Sequence, residues 1–176
     1  MHLNELAEEE FHILDKVRGI EGLIEQKEAE LESSGIFDNY RRIYNKYVDL
    51  AVQGDIEALK RALFLWWFDF IEPSFLTGIY ELDGWCVLEQ LEALASTNKL
   101  DKELEWMLPY YYSITDYYFD AVLENELPAL RKFLDENKNT SLPCKDLLST
   151  SLEGRGQMAD YWLSIRKHCE ELCRFG

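Results

Sequence analysis

Residues 55–72 read DIEALKRALFLWWFDFIE, and this stretch decides the fold. Leu63-Phe64-Leu65-Trp66-Trp67-Phe68 leaves no polar face, so a helix over about Ile56 to Ile71 is apolar nearly all round. Such a helix belongs in the centre of a bundle. Asp55 can cap it through its side-chain oxygen, and Glu57 adds negative charge to its first turn. Ala58 stands where a full capping box needs an acid or amide, and Pro73 ends the helix.

Upstream, Tyr40, Ile43, Tyr44, Tyr47, Leu50 and Ala51 form the stripe of a helix over about Asn39 to Gln53, stopped by Gly54. Before it, Leu3, Leu6, Ile13, Val17, Ile20, Ile24 and Leu31 define one long amphipathic helix from about Leu3 to Glu32, ended by Ser33-Ser34-Gly35. Glu10 and Lys27 sit on that seam, and Gly19 and Gly22 weaken its middle. We therefore expect residues 1–35 to pack on the body rather than extend as a coiled coil.

Downstream, Pro73 to Gly78 reads as a tight connection or one helical turn, followed by a helix near Gly84 to Ser96. Asp101 caps a short helix to Leu108, Pro109 restarts the chain, and Tyr110 to Leu123 carries Tyr111, Ile114, Tyr118 and Val122 along one side. Asn125 is a stop. Glu126 to Glu136 is helical, Asn137 to Pro143 is a polar loop, and the last helix runs from about Gly156 to Cys173. The expectation is a single all-α domain over 1–176, a multi-helix bundle.

A shift of 71 positions aligns the chain with itself without a gap. Tyr40, Ile43, Tyr47, Asp49, Ala58, Leu59 and Leu63 meet Tyr111, Ile114, Tyr118, Asp120, Ala129, Leu130 and Leu134, and Asp55 meets Glu126. A duplicated helical hairpin is one reading. The other is that antiparallel helix pairs share stripes and turn residues by physics alone.

The composition sets bounds on function. With 47% hydrophobic and 14% aromatic residues the chain can bury a core, and 34 acids against 18 bases give a net charge of −16. That charge repels phosphates, so direct nucleic-acid binding is not expected. No apolar run is long enough to span a bilayer, residues 1–10 have no signal-peptide pattern, and a cytoplasmic protein with four reduced cysteines is the expectation.

His168, Cys169 and Cys173 near the end of one helix raise metal binding, but no Cys-x-x-Cys pair accompanies them and we expect buried thiols, with no metal or cofactor. The chain has no nucleophile elbow, phosphate loop or H-E-x-x-H. Asp69 and Glu72 punctuate the most apolar segment, where burial raises a carboxyl pKa unless a cation such as Arg41, Arg42 or Arg61 meets it. Asp116 and Asp120 read as a solvated pair. The run Tyr110-Tyr111-Tyr112 with Tyr117-Tyr118-Phe119 cannot bury every ring, which leaves aromatic surface for a partner.

The stretch Glu57-Ala58-Leu59-Lys60-Arg61-Ala62-Leu63-Phe64, continuing through Trp66-Trp67 and Glu72-Pro73-Ser74-Phe75-Leu76-Thr77-Gly78-Ile79 to Glu81-Leu82-Asp83, resembles a small family of uncharacterised bacterial helical proteins. The resemblance implies a bacterial cytosolic origin and carries over no catalytic residue.

Charge is the clearest functional feature. Residues 1–36 hold ten acids against three bases and 81–137 thirteen against four. Two such zones suit a non-enzymatic interaction module that docks a basic protein surface, as an immunity or regulatory protein does. Its binding residues would come from Trp66, Trp67, Asp69, Glu72, Tyr111 and Tyr118. The alternative is a small helical enzyme or ligand-binding domain with a pocket lined by Trp66, Trp67, Tyr44 and Tyr118, in which Asp69 or Glu72 supplies an acid, base or ligand.

Overall fold

The computed structural model describes residues 3–123, 126–138 and 144–175, the last four by backbone alone. Asn125 and most of the polar loop before Cys144 lie outside the described residues. Among those described there are ten helices and no strand, an all-α multi-helix architecture. The chain divides into two compact units, Met1–Gly84 with Leu152–Tyr161, and Trp85–Ser151 with Trp162–Gly176.

The first unit contains α1 (Leu3–Gly19), α2 (Ile24–Ser33), α3 (Ile36–Val52), α4 (Ile56–Ile71) and α5 (Ser74–Thr77). It also takes residues 156–161 of α10 (Gly156–Phe175). Asp55 caps α4 by accepting from the Ala58 N–H at 2.9 Å. From Ala58 to Trp67 every residue of α4 is buried, the central placement its all-round apolar surface demands. Burying each of Leu63, Phe64 and Trp67 contributes about 2–3 kcal/mol. The face of α3 that carries Tyr40, Ile43, Tyr44 and Tyr47 is buried too, with α4 and α1 both packed on α3.

The single long N-terminal helix is corrected. α1 stops at Gly19, and α2 begins at Ile24 after a turn in which Gly22 takes φ +125°. The Gln26 side chain then accepts from the Leu23 N–H at 3.1 Å, capping α2. Glycine at positions 19 and 22 costs the helix about 1 kcal/mol each, and the cap supplies a local alternative. Of the expected seam Leu6, Ile13, Val17, Ile20 and Leu31 are buried, whereas Ile24 is exposed. Gly78, at φ +73°, closes α5, where a Cβ would come 2.8 Å from Val17.

The second unit contains α6 (Trp85–Ser96), α7 (Lys102–Leu123), α8 (Pro128–Asn137), α9 (Cys144–Ser149) and residues 162–175 of α10. α8 packs on both α6 and α7. Pro109 does not restart the chain, because α7 runs through it. The break falls instead at Thr115 (φ −134°, ψ 39°), whose hydroxyl donates to the Tyr111 carbonyl at 3.0 Å. The expected stripe is displaced with it. Tyr112, Thr115, Phe119 and Leu123 are buried, while Ile114 is 43% exposed and Tyr118 half-buried.

The reduced-thiol expectation is overturned in this unit. Cys144 and Cys169 form a disulfide with Cα atoms 5.4 Å apart, which ties α9 to α10. Cys86 is a free, exposed thiol.

Candidate functional site

The first unit carries a groove of about 620 Å³. Glu25, Glu28, Ala29 and Glu32 line it from α2, Phe37, Asp38 and Arg41 from α3, and Ser74 and Tyr80 from the chain around α5. The spacing of 25, 28, 29 and 32 puts all four α2 residues on one helical face. Phe37 and Tyr80 pack with ring centroids 5.4 Å apart, and Tyr80 is 44% exposed. Arg41 donates to Asp38 at 2.8 Å and to the Tyr80 carbonyl at 3.5 Å. The guanidinium thus offsets one carboxylate, and the three α2 glutamates remain as excess negative charge beside two aromatic rings. That combination attracts a cationic side chain through carboxylate hydrogen bonds and ring faces.

The residues picked out in the sequence lie elsewhere. Trp67 is fully buried in a ring cluster with Phe64 (6.1 Å), Phe68 (6.3 Å) and Tyr161 (5.4 Å). Trp66 packs edge-on to Phe70 at 5.1 Å and against Gly84, where a Cβ would overlap the indole. Asp69 is half-buried and accepts from the Leu82 N–H at 2.9 Å, while the Tyr44 hydroxyl donates to the Asp83 carbonyl at 2.7 Å. Both therefore hold the 81–83 segment. Burial raises the Asp69 carboxyl pKa, with the Glu81 charge adding to it and the Leu82 N–H and Arg41 opposing it. The three candidate arginines take other carboxylates: Arg41 pairs with Asp38, Arg42 with Glu9 at 2.5 Å, and Arg61 with Glu57 at 3.0 Å. Glu72, the C-cap of α4, is half-buried.

Tyr111 and Tyr118 belong to the second unit. Tyr111 is fully buried and accepts from the Trp162 indole N–H at 3.3 Å, beside the Trp106–Trp162 edge contact at 4.9 Å. Tyr118 lies next to Tyr117, which is 69% exposed and is one of the rings the run could not bury. The solvated Asp116–Asp120 pair is half right: Asp116 is exposed, but Asp120 accepts from the Tyr112 hydroxyl at 2.9 Å and from Arg131 at 2.6 Å. His168 is exposed, Cys169 is in the disulfide, and the Cys173 side chain lies outside the described residues. Among the described residues no cluster of three potential metal ligands forms.

A buried polar cluster in the first unit was missed. Glu10 is 1% exposed and its carboxylate accepts from the Gln157 N–H at the start of α10 (2.6 Å) and from the Tyr47 hydroxyl (3.1 Å). The Gln157 side-chain amide donates to the Tyr40 hydroxyl and, at 2.8 Å, to the Thr77 carbonyl. Gly156, at φ +58°, lies against the carboxylate, and a Cβ there would overlap it. Burial pushes Glu10 up to about 7, against the Gln157 N–H, the Tyr47 hydroxyl and the Arg61 charge; Asp160 adds to the rise. Burial likewise raises the Tyr47 and Tyr40 phenols. Glu10 on an apolar seam was the visible signal. For the groove it was the spacing of Glu25, Glu28 and Glu32, whereas Tyr80 sits outside any periodic element.

No family model, curated protein or solved structure matches the chain. Among the described residues no helix is long and apolar enough to cross a membrane.

Proposed function

We propose that this chain is a non-enzymatic acidic interaction module that docks the basic surface of another protein, in the manner of an immunity or regulatory protein. The groove of the first unit carries the reading: three glutamates on one face of α2 border the Phe37–Tyr80 pair. A lysine or arginine of the partner enters between the carboxylates and the rings, and the surrounding negative field speeds encounter. The cytoplasm of a bacterium is the proposed setting.

Affinity capture with mass spectrometry, at low and high salt, tests this. A basic protein held at low salt and released at high salt is the expected result, because ions screen exposed charge pairs. The triple substitution Glu25→Gln, Glu28→Gln and Glu32→Gln should weaken its capture about tenfold, each exposed pair being worth well under 1 kcal/mol. Recovery of no partner at either salt, or equal capture by the triple variant, overturns the reading.

A second reading keeps Asp69 as the acid or base of a ligand-binding domain, favoured by its half-burial and raised pKa. Asp69→Asn removing binding of a metabolite while leaving the melting temperature unchanged would support it.

A further inference from the structure

We propose that the Cys144–Cys169 bridge is a thiol-exchange site, opened by a small thiol or a protein dithiol, and that its opening frees the Cys144 end of α9 from α10. The inference concerns the second unit and does not rest on the groove.

Two features carry it. The first is unequal access. Cys144 is half-buried, whereas Cys169 is 0% exposed, so of the two bridged residues Cys144 is the one that presents surface to an incoming thiolate. Exchange requires such access. The second feature is how α9 is held. At its first residue the bridge fixes it to Cys169; at its other end Arg166, one turn earlier on α10, donates to the carbonyls of Leu147 (2.8 Å) and Thr150. Between the two clamps only Leu147 of the six α9 residues is buried. So short a helix has little stability of its own, and loss of one clamp unfastens one end.

The chemistry balances as thiol–disulfide exchange. A thiolate RS⁻ attacks the Cys144 Sγ, the Sγ–Sγ bond breaks, and the electron pair leaves on the Cys169 Sγ, which takes a proton. A second thiol then attacks the RS sulfur of the mixed disulfide, releasing the Cys144 thiolate and RSSR. The sum is one protein disulfide plus two RSH giving two cysteine thiols plus RSSR, and oxidised RSSR drives the reverse.

The test uses the full chain, with glutathione and dithiothreitol as thiols. Without reductant Cys144 and Cys169 should resist alkylation, and under dithiothreitol both should be labelled. A glutathione adduct, trapped by acid, should map to Cys144. Lys145 is exposed within α9, and tryptic cleavage after it should rise about tenfold on reduction, because proteolysis reports the opened population. Arg166→Met should change that cleavage little in the oxidised protein and add several-fold in the reduced one. Full labelling of both cysteines without reductant, an adduct on Cys169 instead, or cleavage indifferent to reduction each overturns the proposal. Cys144→Ser, cleaved after Lys145 like the reduced wild type with and without dithiothreitol, separates loss of the bridge from any other action of the reductant.

Discussion

The hairpin of α3 and α4 and the one made by the second half of α7 with α8 share seven of the residues aligned 71 positions apart, yet they bury them differently. Tyr40 and Tyr111 are both fully buried, as are Leu63 and Leu134. Ile43 is 0% exposed but Ile114 is 43%, and Tyr47 is fully buried but Tyr118 only half. Two structural differences accompany this. α1 packs on α3 within the first unit, and α3 is an uninterrupted helix. α7 is broken at Thr115, and beside Tyr111 it buries Tyr112, Thr115, Phe119 and Leu123, each one residue along from the aligned stripe. A stripe at helical spacing specifies which residues share a face, while helix continuity and a covering neighbour specify whether that face is buried.

The largest effect should break the comparison outright. Ile43→Ala removes a fully buried side chain from α3 and should cost about 3–4 kcal/mol, whereas Ile114→Ala should cost about 0.5 kcal/mol. Urea unfolding of the two variants measures both. Equal losses would mean that the two faces are equally covered in solution.

A pH titration sharpens the same contrast. Tyr47 is buried in company with Glu10, whereas its counterpart Tyr118 is half-buried in the second unit. The native state holds the Glu10 proton up to about pH 7, the unfolded chain only to its ordinary 4.5. Stability from this group is therefore full below about pH 4.5 and is lost as pH rises through 7, a fall of about 3 kcal/mol. Glu10→Gln keeps an acceptor for the Gln157 N–H and should abolish that part of the slope. The difference between wild type and variant, followed by thermal melts across the range, isolates it; parallel curves would show that Glu10 ionises normally.

Loss of the bridge comes next. Cys144→Ser opens a loop closed across a sequence separation of 25, and chain entropy puts the cost at about 3 kcal/mol or less. Chemical denaturation under non-reducing conditions gives the number, and reductant should bring the wild type to the same value.

What the sequence made legible was whatever depends on local pattern. The apolar run of α4, the Asp55 cap, the Pro73 stop and the stripe of α3 all come from spacing and side-chain chemistry. The break between α1 and α2 is half visible in the sequence, since Gly19 and Gly22 are plain but the Gln26 side-chain cap that favours stopping there shows only in the fold. The hold on α9 and the Cys144–Cys169 pairing depend on contacts 19 and 25 residues apart in the chain, to which periodicity is blind, while the kink at Thr115, whose hydroxyl bonds locally to Tyr111, leaves no mark on the apolar spacing. The candidate site divides the same way. One face of α2 is readable as acid spacing, but Phe37, Arg41 and Tyr80 join it only through packing of α3 and the chain after α5.

The start of the second helix in each hairpin gives the finest comparison. Asp55 caps α4 from within its own turn, and Glu126 stands at the matching position of the second hairpin. Glu126 is exposed, and the N-cap of α8 is Leu127, which provides no side-chain acceptor. Glu92 of α6 takes that role instead, accepting from the Ala129 N–H at 3.1 Å and from the Leu130 N–H at 2.7 Å. Capping has passed from the local residue to a neighbouring helix, and α8 is thereby fastened to α6 as well as started. Two charge-assisted bonds at a half-buried site exceed one local cap, so Glu92→Ala should cost about 2 kcal/mol and Asp55→Ala about 1. Glu126→Ala should stay within about 0.5 kcal/mol, as an exposed residue with no capping role. Hydrogen exchange sharpens the assignment, since Glu92→Ala should lose protection at the Ala129 and Leu130 amides, and Asp55→Ala at Ala58. A loss at Ala129 in Glu126→Ala instead would return the cap to the local position and make the two hairpins alike.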